Sequence, residues 1–102
     1  MELEQLRQLD QIARLGTMSA AAGALHVSQP SLPKPMRRLE RDLGRELFSR
    51  TPNRVELNEA GRVALEHARA ILSQERLLRD DLDALFRRQR TLRVAAVAPA
   101  PT

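Results

Sequence analysis

Apolar side chains recur along the first part of this chain at helical spacing. Leu6, Leu9, Ile12 and Ala13 predict a helix from Leu3 to about Leu15, and Gly16 is a good stop. A second helix is predicted from near Ser19, an N-cap residue type, to about Leu25. Ala20, Ala21 and Ala22 keep it thin, which lets a neighbouring helix approach closely. His26-Val27-Ser28 is short enough for a tight turn. Ser28 is placed to cap a third helix, with Pro30 in its first turn, where no intrahelical N–H is needed. Leu32, Met36, Leu39 and Leu43 form one buried stripe on that helix, and Gly44 ends it.

The period then changes. Leu47–Thr51 and Val55–Leu57 read as two short strands around the turn Pro52-Asn53-Arg54. Val55 and Leu57 alternate with Glu56, so one face is buried and the other wet. Asn58 can cap a fourth helix, and Glu59 favours its first turn. With no proline before Pro99, this helix is predicted from Glu59 to about Arg88.

Ala64, Ile71, Leu78 and Leu85 fall on it at steps of seven. Ala68 and Leu82 take the other seam position, Glu75 is the exception, and Leu65, Leu72 and Phe86 widen the stripe. So long an apolar stripe asks for a partner helix, although packing on its own body is the alternative. Small residues at its start and large ones at its end favour an antiparallel partner. Leu92–Val97 reads as a strand with nothing to pair with, so a further domain is expected to follow.

Composition narrows the fold class. The 102 residues suffice for one small core, and with only Phe48 and Phe86 as aromatics, Leu, Ile, Val and Ala must fill it. That is the composition of a mainly α protein. The net charge of +4 is concentrated: between Ser28 and Arg54 lie seven basic and three acidic residues. A solvated helix face is one reading of that run; a surface for a polyanion is the other.

Other classes drop out. There is no cysteine, and His26 and His67 have no second ligand at metal spacing. No apolar run approaches the roughly 20 residues of a membrane span. Glu2 and Glu4 stand where a signal peptide would be basic, so a cytoplasmic protein is expected. No nucleophile–base pair or glycine-rich phosphate loop speaks for an enzyme.

Three helices, a tight turn before the third and a hairpin wing predict a winged helix-turn-helix over residues 1–58, followed by a dimerising linker helix over 59–90. Ala21-Ala22, Leu25-His26-Val27-Ser28-Gln29-Pro30-Ser31-Leu32, Arg38-Leu39-Glu40, Leu43-Gly44, Leu47-Phe48, Arg50-Thr51 and Leu57-Asn58-Glu59-Ala60-Gly61 occur in this order. In that order and spacing the sequence resembles the DNA-binding half of LysR-type transcriptional regulators. The resemblance implies a homodimer, and a tetramer for some full-length members, on a partly palindromic double-stranded DNA site near a promoter. It also implies that residues 91–102 begin a C-terminal domain that senses a small-molecule effector, with no cofactor in the present chain.

Residue by residue, the resemblance places Gln29, Pro30, Ser31 and Lys34 in the major groove. The Gln29 amide can pair with adenine and the Pro30 ring can touch a thymine methyl. Arg54 is placed in the minor groove, and Ser28, Arg37, Arg38, Arg50 and Thr51 against phosphates. Ser28 as a cap, Arg37 and Arg38 as solvated charges, and Arg50 paired with Glu46 are the alternatives. The linker seam implied is Ala64, Ala68, Ile71, Leu72, Leu78, Leu82 and Leu85.

Pro33 and Pro35 depart from the family pattern. Inside a helix capped by Ser28, each would cost about 3 kcal/mol and disfavour helical geometry at Leu32 and Lys34. A kinked or partly unwound first half is therefore expected, with regular helix from about Pro35. The competing functional reading is a dimerisation module whose DNA surface these prolines have weakened.

Overall fold

The computed structural model describes residues 1–51 and 54–97. In order these form α1 (Leu3–Leu15), α2 (Met18–Leu25), a 3-10 turn (Gln29–Ser31), α3 (Pro33–Leu43), β1 (Phe48–Thr51), β2 (Arg54–Leu57) and α4 (Glu59–Val97). The chain divides into two compact units, Met1–Leu72 and Ser73–Thr102.

In the first unit, each helix is fixed at its ends by the residues around it. Gln5 reaches back to accept from the Glu2 N–H at 2.8 Å, and Gly16 closes α1 in the left-handed region at φ 78°. The chain leaves Gly16 with Thr17 extended, which brings the Thr17 hydroxyl to the Ala20 N–H at 3.1 Å. Thr17, rather than the expected Ser19, therefore caps α2. His26 closes that helix at φ 58°, where its N–H meets the Ala22 and Gly23 carbonyls.

Leu6, Leu9 and Ile12 of α1 meet Ala21 and Ala22 of α2, Leu32, Met36 and Leu39 around α3, and Leu47. The alanines let α2 lie close, as their size predicts. Leu43 departs from the expected stripe and is exposed, because the core ends one turn earlier at Leu39.

Strands β1 and β2 pair antiparallel from Phe48↔Leu57 to Thr51↔Arg54. Arg54 thus begins a strand instead of sitting in the turn, while Pro52 and Asn53 lie outside the described residues. Val55 and Leu57 pack on the core and Glu56 faces water.

Asn58 caps α4 as expected. Its side chain accepts from the Gly61 N–H at 2.8 Å and donates to the Glu46 carbonyl at 2.8 Å. Nearly three turns later Ala68 is 1% exposed and belongs to the core, with Ala64, Leu65 and Leu72 packed against it. Ala68 therefore has no surface left for the seam, a correction to its expected role. These contacts are why the first compact unit extends to Leu72, past the boundary expected at residue 58.

The second unit is helical as far as it is described. Leu92–Val97 continue α4 rather than forming the expected strand. Helix satisfies the backbone N–H groups within the segment itself, whereas a strand would need a partner. The Thr91 hydroxyl bonding the Arg87 carbonyl at 3.0 Å marks the uninterrupted turn. Leu78, Leu82 and Leu85 are exposed, and helical phase adds Leu92, one further step of seven beyond Leu85. Glu75, the exception in the seam, pairs with Arg79 of its own helix at 2.6 Å.

Candidate nucleic-acid interface

The third helix is assembled from two pieces. Ser28 stands at the N-cap of the 3-10 turn without a capping bond, and its hydroxyl meets that of Ser31 instead. Leu32 joins the turn to α3, which begins at Pro33. The unwinding expected from the prolines is thus confined to the 3-10 turn, and regular helix starts two residues earlier than predicted. Pro33 is the first residue of α3 and Pro35 the third, positions whose N–H groups have no intrahelical acceptor. The interior-helix penalty therefore does not apply. Leu32, preceding Pro33, still holds helical angles at φ −82°, ψ −39°; its full burial in the core holds it there.

This placement reverses the expected effect of removing the prolines. Pro33→Ser/Pro35→Gln should melt no higher than the wild type and lose up to about 2 kcal/mol of stability, because both prolines restrict the unfolded chain at compatible sites. A clear rise in melting temperature would mean that the two rings strain the native turn.

Three contacts hold α3 in place. The Gln5 amide of α1 donates to the Pro35 carbonyl at 3.3 Å. The Glu40 carboxylate accepts from the Leu47 N–H at 2.7 Å, pinning the link to β1 against the helix. The N-terminal ammonium lies 3.1 Å from Asp42. Below them, Asp10 of α1 joins Arg69 of α4 at 2.8 Å and Arg14 at 3.0 Å. Burial pushes the Asp10 carboxyl up, but the hydrogen bonds and charges of Arg69 and Arg14 outweigh it and hold it below its usual range. Helical spacing alone gives no sign of Gln5, Glu40 or Asp10 in these roles, since each acts across elements.

The frame leaves Ser28, Gln29, Pro30, Ser31, Lys34, Arg37 and Arg38 exposed on one stretch of chain. Arg50, Thr51 and Arg54 belong to the adjoining hairpin through their backbones, and their side chains lie outside the described residues. A surface groove beside α3 is lined by Pro30, Pro33, Lys34 and Arg37 and also by Arg41 and Arg45. These last two arginines are not among the expected contacts, although Arg41 follows Lys34 and Arg37 at helical spacing, opposite Leu32, Met36 and Leu39. Among the described residues no cluster of three or more His, Cys, Asp or Glu is placed to hold a metal.

An exposed turn-and-helix over a three-helix core, followed by an antiparallel hairpin, defines a winged helix-turn-helix protein. Residues 3–62 match the family model for bacterial regulatory helix-turn-helix proteins of the lysR family, and the chain belongs to that family.

Among curated relatives, the HTH-type transcriptional regulator TfdT of Cupriavidus pinatubonensis is 44% identical over 72% of this chain and 32% of its own. The regulator ClcR of Pseudomonas putida is 47% identical over 71% of this chain and 24% of its own. The chain thus spans between a quarter and a third of their lengths. These relatives are transcriptional regulators, not enzymes.

Among solved structures, the complex of the CbnR DNA-binding domain with DNA aligns with a TM-score of 0.80 and 42% identity, covering 83% of this chain and 98% of that one. The BenM DNA-binding domain on its catB site 1 DNA aligns at 0.74 and 27% identity, covering 88% and 97%. No helix among the described residues is long and apolar enough to cross a membrane.

Proposed function

We propose that this chain is the DNA-binding and dimerising part of a cytoplasmic transcription regulator that acts as a homodimer on a partly palindromic promoter site. The carrying observation is the joint exposure of Ser28–Ser31, Lys34, Arg37 and Arg38 on a turn and helix anchored to the core by Leu32, Met36 and Leu39. Gln29 and Pro30 read base edges, Ser31 and Lys34 add groove or phosphate contacts, and Ser28, Arg37 and Arg38 neutralise phosphates. Arg50 and Thr51 extend the phosphate contacts into the wing, and Arg54 enters the adjoining minor groove. Residues 59–90 pair two copies, and residues 91–102 lead toward a C-terminal domain that takes a small-molecule effector. Full-length copies then pair further into tetramers.

A duplex selected from a random pool and an unrelated duplex, each titrated at several salt concentrations, test this reading. Binding to the selected duplex should be tighter, with log affinity falling by about 0.9 per neutralised phosphate for each decade of salt. Equal affinity for both duplexes, or a flat salt response, would overturn it.

A further inference from the structure

The outward face of α3 carries more cations than the family pattern assigns to DNA. At 100° per residue, Lys34, Arg37 and Arg41 lie within about 60° of one another, directly opposite Leu32, Met36 and Leu39. Arg45, just past the Gly44 cap, lines the same groove as these three, and all four are exposed. Of the two acidic residues of α3, Glu40 also lines the groove and Asp42 does not, and both are already engaged. Glu40 accepts from the Leu47 N–H at 2.7 Å, and Asp42 is 3.1 Å from the N-terminal ammonium. Glu46 lies at the far end of the groove, so the cations outnumber the acids along its length.

We infer that Arg41 and Arg45 form a second phosphate-binding site, in which the C-terminal half of α3 grips the sugar–phosphate backbone of the duplex whose bases the N-terminal half reads. This rests on the DNA-binding reading above. From Lys34 to Arg41 the helix rises about 10 Å, comparable to the roughly 12 Å width of the major groove. A helix whose first turn touches base edges therefore carries its later cations out to a bordering strand. Guanidinium groups suit this site because they meet phosphate oxygens with two parallel N–H donors. Backbone contacts of this kind carry no base preference, so the pair supplies affinity and register while Gln29 and Pro30 supply selectivity.

The test compares wild type, Arg41→Gln/Arg45→Gln, Arg41→Lys/Arg45→Lys and a charge-matched control, Arg87→Gln/Arg88→Gln, by titration with the selected duplex across a salt series. The Gln pair should bind at least about tenfold more weakly at 0.1 M salt, with the salt slope shallower by about 0.9 per lost contact. Its ranking of single-base variants of the site and its melting temperature should stay at wild-type values. The Lys pair should recover the slope and part of the affinity. Wild-type affinity and slope in the Gln pair would overturn the site while leaving the DNA-binding reading intact, as would an equal loss in the Arg87/Arg88 control. Absence of any DNA binding by the wild type would instead remove the reading on which the site rests.

Discussion

Gly61→Ala should lower the melting temperature by roughly 10 °C, although alanine is the better helix former. Gly61 lies in the first turn of α4, where alanine would ordinarily add about 1 kcal/mol. Here a Cβ would overlap the Leu47 carbonyl oxygen and stand 2.8 Å from the Leu57 side chain. The carbonyl cannot swing aside, because it accepts from the Asn58 N–H at 2.9 Å, the bond that fixes the start of α4 against β1. Glu40 holds the Leu47 N–H from the other side. Overpacking that must move backbone costs about 3 kcal/mol, which leaves a net loss near 2 kcal/mol and the predicted shift for a domain of this size.

Gly23→Ala is the matched control. A Cβ there meets nothing within 4 Å. The same exchange should therefore stabilise α2 by up to about 1 kcal/mol. Thermal melts of the two variants should move in opposite directions. A Gly61→Ala protein that melts at or above wild type would show that the Leu47 carbonyl yields easily.

Which parts of this architecture were legible in the sequence follows from the range of the forces involved. Helix α1 is legible to its ends because Leu6, Leu9 and Ile12 all face one core and glycine takes the left-handed turn at position 16 without strain. Asn58 was read for the same reason, since a cap acts within three residues.

Errors arose where a residue's role is set by something distant in the chain. Ala68 has the spacing of a seam residue, but its small side chain is what lets α4 settle onto α1. Pro33 and Pro35 look like helix breakers only if the helix starts at Ser28. Once the Ser28–Ser31 segment winds as a 3-10 turn, both rings fall at positions that need no donor. Leu92–Val97 holds two valines, but its Leu, Arg and Ala residues favour helix, and a strand needs a neighbour where a helix does not. The exposed positions at Gln29–Lys34 carry no periodic signal at all; only the family pattern located them.

Leu78→Asp is expected to have the second large effect, on assembly and not on folding. In the single chain Leu78 is 59% exposed and takes no part in the core, so the variant should keep the wild-type helical content and the packing of residues 1–72. Leu78, Leu82, Leu85 and Leu92 give the second unit's part of α4 an exposed apolar row. Burying Leu78 in a paired helix stabilises the dimer by about 1.5–3 kcal/mol per copy, so removing both copies weakens association by at least about 100-fold. Two aspartates would add the penalty of desolvated carboxylates without an obvious cation to receive them. Arg79, the nearest candidate in sequence, is held by Glu75 at 2.6 Å. Sedimentation at micromolar concentration should therefore find a monomer, and affinity for the selected duplex should collapse because one half-site offers too few contacts. Binding to DNA and dimerisation would then be lost together while the thermal transition of the first unit stays in place. A Leu78→Asp protein that still sediments as a dimer with unchanged affinity would locate the interface off this row, with the row itself covered by some other surface.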